Sequence, residues 1–269
     1  MYPNELSTER KKYLSTRRRR KTAVILCRIF ILAAFIAFWE LGGRFGLLDS
    51  FVLSQPSRIL RVLFHFTENQ LPLHIKTTLL ETVSGFLLGV AVGCLLAVFL
   101  WWSPFFSRVS EPYLVVLNSL PKIALGPVII IWAGAGTRAI IFMALAISTI
   151  VTVLEMLSGF NSTDPELIRM LKTFGANRFQ IFCKIVLPYN IDTLFNSLKI
   201  NIGLSLVGVI AGEFLVSKAG LGYLIVYGGQ VFQMDLVMAS VLILAAAAAV
   251  LYELISLLQK LALKWIHHR

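Results

Sequence analysis

The chain has 269 residues, of which 57% are hydrophobic and only 14% charged, and its mean hydropathy is strongly positive. That excludes an ordinary soluble domain, in which about a quarter of the residues are charged. The formal charge of +11 would suit a nucleic-acid binder, but its placement along the chain points to a membrane instead.

Apolar runs of roughly 18 residues or more, enough to cross a hydrocarbon core about 30 Å thick, recur along the sequence. They predict an all-α polytopic membrane protein with about six transmembrane helices, near Ala23–Leu41, Thr82–Trp102, Tyr113–Ala133, Ala139–Phe160, Leu194–Val216 and Leu236–Leu258. Residues 1–22 form a basic N-terminus and residues 23–269 a single membrane domain. The run Arg17-Arg18-Arg19-Arg20-Lys21 abuts the first span and reads as a cytoplasmic topology signal. No small-residue cleavage site follows before Glu40 and Arg44, so the first span is expected to be retained.

The remaining cations agree with this topology. Eight Lys and Arg fall in the N-terminus, one in the loop 103–112, four in 164–188 and three in the tail, against six on the other side. Both termini are therefore expected to be cytoplasmic, in a multi-pass protein of the inner or plasma membrane that contacts lipid and not nucleic acid.

Between the first two spans, Gly42 to Lys76 does not cross. Ser54-Gln55-Pro56-Ser57 reads as a turn and helix start. Ile59, Leu60, Leu63 and Phe64 then share one face, with Arg58, Arg61, His65 and Glu68 opposite. This is the pattern of an amphipathic helix at the outer interface or, by the simpler and preferred reading, of a helix that packs over the bundle. In the second span Gly85, Gly89 and Gly93 recur every fourth residue, as do Gly208 and Gly212 in the fifth. Such strips let another helix approach closely, within one chain or between two.

Charges inside the spans are few: Arg28, Lys122, Glu155, Lys199 and Glu213. Arg28 and Glu155 sit near enough to the cytoplasmic side to snorkel. Lys122, between Pro121 and Gly126-Pro127, and Glu213, after the second glycine strip, are the candidates for a polar translocation pathway, against the alternative of structural pairing. Cys27, Cys94 and Cys183 make no disulfide framework, and His65, His74, His267 and His268 show no metal-ligand clustering. No catalytic constellation is found, so no enzyme activity, cofactor or metal is assigned to this chain.

A polar island, Asp164 to Pro188, separates the fourth and fifth spans. Asp164 is an N-cap, Pro165 suits the first helical position and Glu166 complements the helix dipole. Gly175 suits the left-handed residue past the end. A helix over Pro165–Phe174 follows, with Leu167, Ile168, Leu171 and Phe174 on one face. Asn177 caps a second helix that runs to Leu187, with re-entry at Pro188. Two capped helices at a Gly-Ala corner make a compact knob.

Gly175, then nine residues, then Ile185, one residue, Leu187 and Pro188 resembles the back half of the "EAA" loop of ABC-importer permeases. Ser119–Gly136 (SLPKIALGPVIIIWAGAG), Glu213 and Lys218–Ile225 (KAGLGYLI) resemble the nitrate/sulfonate/taurine branch. Arg169-Met170-Leu171 stands where that family has Glu-Ala-Ala. The resemblance implies that residues 161–188 form a coupling loop seated in a cytosolic ATPase. Glu166, Leu167, Leu171, Phe174, Gly175, Ala176, Ile185, Leu187 and Pro188 would make the contact. It further implies a permease homodimer, an extracytoplasmic solute-binding protein, and a small solute such as nitrate, a sulfonate, taurine or a vitamin-precursor heterocycle. The chain has no phosphate loop of its own, so ATP and Mg belong to the partner ATPase. The rival reading is an ion-coupled secondary transporter with Lys122 and Glu213 in its pathway.

Overall fold

The computed structural model describes residues 8–47, 49–65 and 70–267. Residues 1–7, Glu68 and His268 of the regions discussed above lie outside these. The regular elements among the described residues are all helical. The chain divides into two units, Met1–Phe64 and His65–Arg269.

In the first unit, α1 (Thr8–Arg44) runs unbroken across residue 22, so the basic segment and the first span are one helix. Short helices α2 (Ser50–Leu53) and α3 (Pro56–Phe64) follow. The Asp49 carboxylate accepts the Phe51 N–H and caps α2. From α1, the Glu40 carboxylate accepts both Arg44 Nε at 2.7 Å and the Ser57 N–H at 3.0 Å, satisfying one of the donors left open at the start of α3. Ile59 is buried, whereas Leu60 and Phe64 of the same predicted face are exposed.

The second unit contains α4 (Leu71–Trp102), α5 (Pro104–Ser119), α6 (Gly126–Ala133), α7 (Thr137–Asn161), α8 (Pro165–Thr173), α9 (Arg178–Ile181), α10 (Leu187–Tyr189), α11 (Ile191–Val216), α12 (Leu221–Gln230) and α13 (Met234–His267). The helix α7 lies between α4 and α11, and small residues hold it there. A Cβ placed on Gly85, Gly89 or Gly93 would come within 2.7 Å of Ala144, Ser148 or Thr152. On the other side, Gly208 and Gly212 lie against the backbone of Ala144 and Ile140. Both glycine strips therefore serve packing within the chain. Where no hydrophobic effect drives association, this close approach is what holds the helices together. Gly89→Ala is expected to cost about 1–3 kcal/mol by overpacking. Thermal unfolding of the detergent-solubilised chain checks this, and an unchanged midpoint would show that the seam is slack.

Among the described residues five helices are long and apolar enough to cross a membrane, α1 from Thr22, α4, α7, α11 and α13, and a bent pair makes a sixth if it is one span. The expected third span, Tyr113–Ala133, is not one straight helix. It divides into α5 and the pair formed by a 3-10 turn (Lys122–Leu125) and α6, bent by 88° between them. Pro121 supplies the break, since a proline cannot donate to the preceding turn and displaces its backbone. The helix also starts earlier than expected: α4 and α5 are joined by Ser103 alone, so residues 104–112 are helical and not a loop. Likewise α4 begins at Leu71, eleven residues before the predicted start of the second span.

Candidate functional site

The island folds as the local chemistry dictates. The Asp164 carboxylate accepts the Glu166 N–H at 2.8 Å and starts α8. Gly175 takes φ +79°, a left-handed conformation that favours glycine, and the Ala176 N–H returns to the Leu171 carbonyl at 3.1 Å. Asn177 then opens α9 with a reciprocal capping box: its side chain accepts the Gln180 N–H, and the Gln180 side chain accepts the Asn177 N–H, both at 2.9 Å.

Pro188 is accommodated in a way the sequence reading did not anticipate. A proline at this position cannot bond the carbonyl four residues back, and its ring crowds that group. The preceding turn, Phe182–Val186, widens into a π-helix, the adjustment that admits such a residue without ending the helix.

The faces of the knob sort differently from their hydrophobicity. Leu171 and Ala176 pack, with Ile168, against a core of Val153, Met156, Phe160, Ile181, Phe182 and Val186. Leu167 and Ile185 are half-buried, while Glu166, Gly175, Leu187 and Pro188 are exposed. Phe174 is 80% exposed, and Met170 and Phe179 stand exposed with it. The nine predicted contact residues thus do not form one surface: part of the set anchors the knob, and part presents it. Met170 and Phe179 were not predicted, because an apolar side chain that faces outward has the same sequence signature as one that faces inward.

The knob is tied firmly to the bundle. Arg178 Nη1 donates to the Trp102 carbonyl at 2.8 Å, closing the end of α4. The Phe182 ring lies 5.2 Å from Trp101 and 5.5 Å from Phe160, centroid to centroid. Asn190 Nδ2 donates to Thr163 Oγ1 at 2.9 Å and to the Val186 carbonyl at 2.8 Å, joining the chain where it enters the knob to the chain where it leaves.

Lys122 and Glu213 occupy unlike places, and no contact joins them. Lys122 is half-buried and donates to the Asn118 carbonyl at 2.8 Å, closing the C-terminal end of α5 at the bend. Beside the bend, Ile123, Pro127, Leu206, Ile210, Phe214 and Leu244 line an apolar groove of about 650 Å³. Glu213 is 1% exposed. Its carboxylate accepts the Thr78 hydroxyl at 2.7 Å and the Gly222 N–H at 2.5 Å. Thr78 Oγ1 in turn accepts the Leu221 N–H at 2.8 Å, and His74 Nδ1 accepts the Gly220 N–H at 2.9 Å. These bonds pin the loop after α11 to the head of α4.

Glu81, one turn after Thr78 and 2% exposed, makes no well-formed hydrogen bond through either carboxyl oxygen among the described residues; Thr137 and Glu213 are its polar neighbours. It escaped notice in the sequence because the predicted second span began at Thr82, just past it, whereas α4 begins at Leu71. Lys199 is matched across helices: its ammonium donates to Gln259 at 2.5 Å, and Gln259 donates to Asp192 at 3.2 Å. Glu155 lines a second, polar groove of about 470 Å³ with Ser158, Ser162, Thr193, Asn196 and Ser197.

Comparison with known proteins covers most of the chain. The family model described as binding-protein-dependent transport system inner membrane component matches residues 89–268. A probable ABC transporter permease protein of Haemophilus influenzae is 27% identical, spanning 91% of this chain and 96% of its own length. The riboflavin transport system permease protein RibX of Chloroflexus aurantiacus is also 27% identical, spanning 87% of this chain and 88% of its own. The taurine transport system permease protein TauC of Escherichia coli is 24% identical, spanning 87% of both. Among solved structures, an inward-facing MetNI methionine ABC transporter aligns with TM-score 0.64 and 17% identity, over 70% of this chain and 93% of that one. A bacterial ABC transporter involved in import of the acidic polysaccharide alginate aligns with TM-score 0.63 and 17% identity, over 92% and 98%. At these identities the structural likeness is one of fold.

Proposed function

Because the chain belongs to the family of binding-protein-dependent transport system inner membrane components, we propose that its knob, α8 to α9, is the seat of a separate cytosolic ATPase. The protein is an inner-membrane permease subunit of an ABC importer, of the sulfonate/taurine type, and its family is one of transport and not of catalysis. The observation that carries the proposal is the exposed trio Met170, Phe174 and Phe179 on a body stapled to α4, α7 and α11. A large apolar side chain on a rigid support is what an interface anchor requires.

In this reading ATP and Mg are held by the ATPase, and nucleotide-driven closure displaces the knob. The bonds at Trp102 and Asn190 pass that displacement to the bundle, and the work done is limited by how differently the two ATPase states hold the knob. Two copies of the permease form the pathway, both termini face the cytosol, and an external binding protein delivers the solute. Lys122, half-buried at the bend, meets the solute along the pathway; Glu213 shapes that pathway by fixing the outer loop. The solute is a small anion or vitamin-precursor heterocycle. Relatives named for riboflavin, aliphatic sulfonates, formylaminopyrimidine and taurine support that range.

Pull-down of the tagged chain from gently solubilised native membranes tests the reading. Recovery of an ATPase, together with uptake that stops on ATP depletion, is the expected result. A chain recovered alone, with uptake that collapses only with the proton gradient, would instead establish a secondary transporter. Gly175→Val gives a finer test. Apart from the adjacent residues no atom lies within 4 Å of the new Cβ, so the substitution acts through the backbone, costing about 1–2 kcal/mol for a left-handed residue. It is expected to leave insertion intact and to uncouple ATP hydrolysis from uptake, which parallel assays of the two rates would reveal.

A further inference from the structure

The helix α1 carries a stripe of arginines more ordered along the helix than a topology signal requires. Its apolar part begins at Thr22, and 14 helical residues, Thr8 to Lys21, extend about 21 Å beyond it. Arg17, Arg20, Val24 and Arg28 recur at intervals of three, four and four residues, so they fall on one stripe of the helix. Together with Tyr13 they line a concavity on that face. All five side chains are exposed. Among the described residues no carboxylate pairs with Arg17, Arg20 or Arg28; the one ion pair described on α1, Glu40 with Arg44, lies at its far end.

Arg28 lies six residues, about 9 Å, inside the apolar segment. A guanidinium at that depth has to reach back toward the headgroups. Arg20 and Arg28 each stand one turn from Val24, about 6 Å along the axis, and an arginine side chain spans such a distance. A phosphate at the level of Val24 is therefore reached from above by Arg20 and from below by Arg28, with Arg17 a turn further out. The guanidinium fork suits phosphate oxygens, and Val24 and Ile25 present an apolar surface to an acyl chain. A polyanion confined to water, such as RNA, would meet Arg17 and Arg20 but not Arg28.

We propose that the Arg17–Arg20–Arg28 stripe of α1 is a binding site for an anionic phospholipid, held by its phosphate at the cytoplasmic headgroup level.

The test uses the full-length chain in nanodiscs of mixed phosphatidylglycerol and phosphatidylcholine, with the lipid retained per chain counted by native mass spectrometry after mild extraction. Phosphatidylglycerol is expected to be retained selectively, and Arg20→Gln or Arg28→Gln to weaken retention roughly fivefold each. Arg19→Gln removes the same charge from a different face and should change it little. An unchanged far-ultraviolet helical signal confirms that each variant is folded. Equal losses for Arg19→Gln and Arg20→Gln would reduce the effect to diffuse attraction and overturn the site. Equal retention of phosphatidylcholine would do the same, as would nucleic acid recovered in place of lipid.

Discussion

Phe174→Asp is expected to abolish ATP-driven uptake while leaving the permease folded. The side chain is 80% exposed and sits at the tip of the knob, outside the core that Leu171 and Ala176 join. Replacing it removes little internal packing, so its effect on thermal unfolding should stay within about 0.5 kcal/mol. A buried anchor at an interface contributes about 2–4 kcal/mol, and an aspartate in an apolar seat adds desolvation to that loss. ATPase recovered with the chain should therefore fall by roughly two orders of magnitude. Leu171→Asp is the instructive contrast: it places a carboxylate in the packed core and should lower stability and uptake together. Full ATPase recovery with Phe174→Asp would remove the knob tip from the interface.

The second large effect is expected where the loop after α11 meets the head of α4. Gly220 has φ +116° and ψ 164°, a region almost restricted to glycine, where other residues carry strain of order 1–3 kcal/mol. An added Cβ would also lie 2.3 Å from the Glu213 carboxyl, which is itself fixed by Thr78 and Gly222. Gly220→Ala should destabilise the protein by about 3–5 kcal/mol, taking strain and overpacking together. That corresponds to roughly 10 °C in the unfolding midpoint. Glu213→Ala alone leaves the Gly222 N–H and the Thr78 hydroxyl short of an acceptor and should cost about 2–3 kcal/mol. In the double variant the clash is gone, so its loss should be clearly smaller than the sum. Simple additivity would mean that backbone strain, and not the carboxyl, sets the need for glycine.

How far the sequence anticipated this structure depends on the range of the interaction involved. Asp164, Gly175 and Asn177 act on backbone groups within three residues of themselves, and their effects are legible from residue type. Pro121 likewise announces its break. The head of α4 was misjudged because His74, Lys76 and Glu81 make it look too polar to belong to the span, whereas His74 and Thr78 find partners near residue 220. No hydropathy window contains that information. The division of the knob into Leu171 inside and Phe174 outside was hidden for a related reason. Both residues are apolar on a short amphipathic helix, and only the position of the neighbouring helices tells them apart.

The loop after α11 joins segments of the chain that are synthesised far apart in time. Thr78 bonds Glu213 across 135 residues of chain, and His74 bonds Gly220 across 146. At ordinary synthesis rates the later partners emerge about 10–30 s after the earlier ones. Throughout that interval the head of α4 carries Thr78 and His74 without the partners they later find. The nascent helix must be sheltered, or held near the membrane surface, until α11 and α12 arrive. A chain interrupted before Glu213 never completes these bonds and leaves Thr78 and His74 unsatisfied at the head of α4.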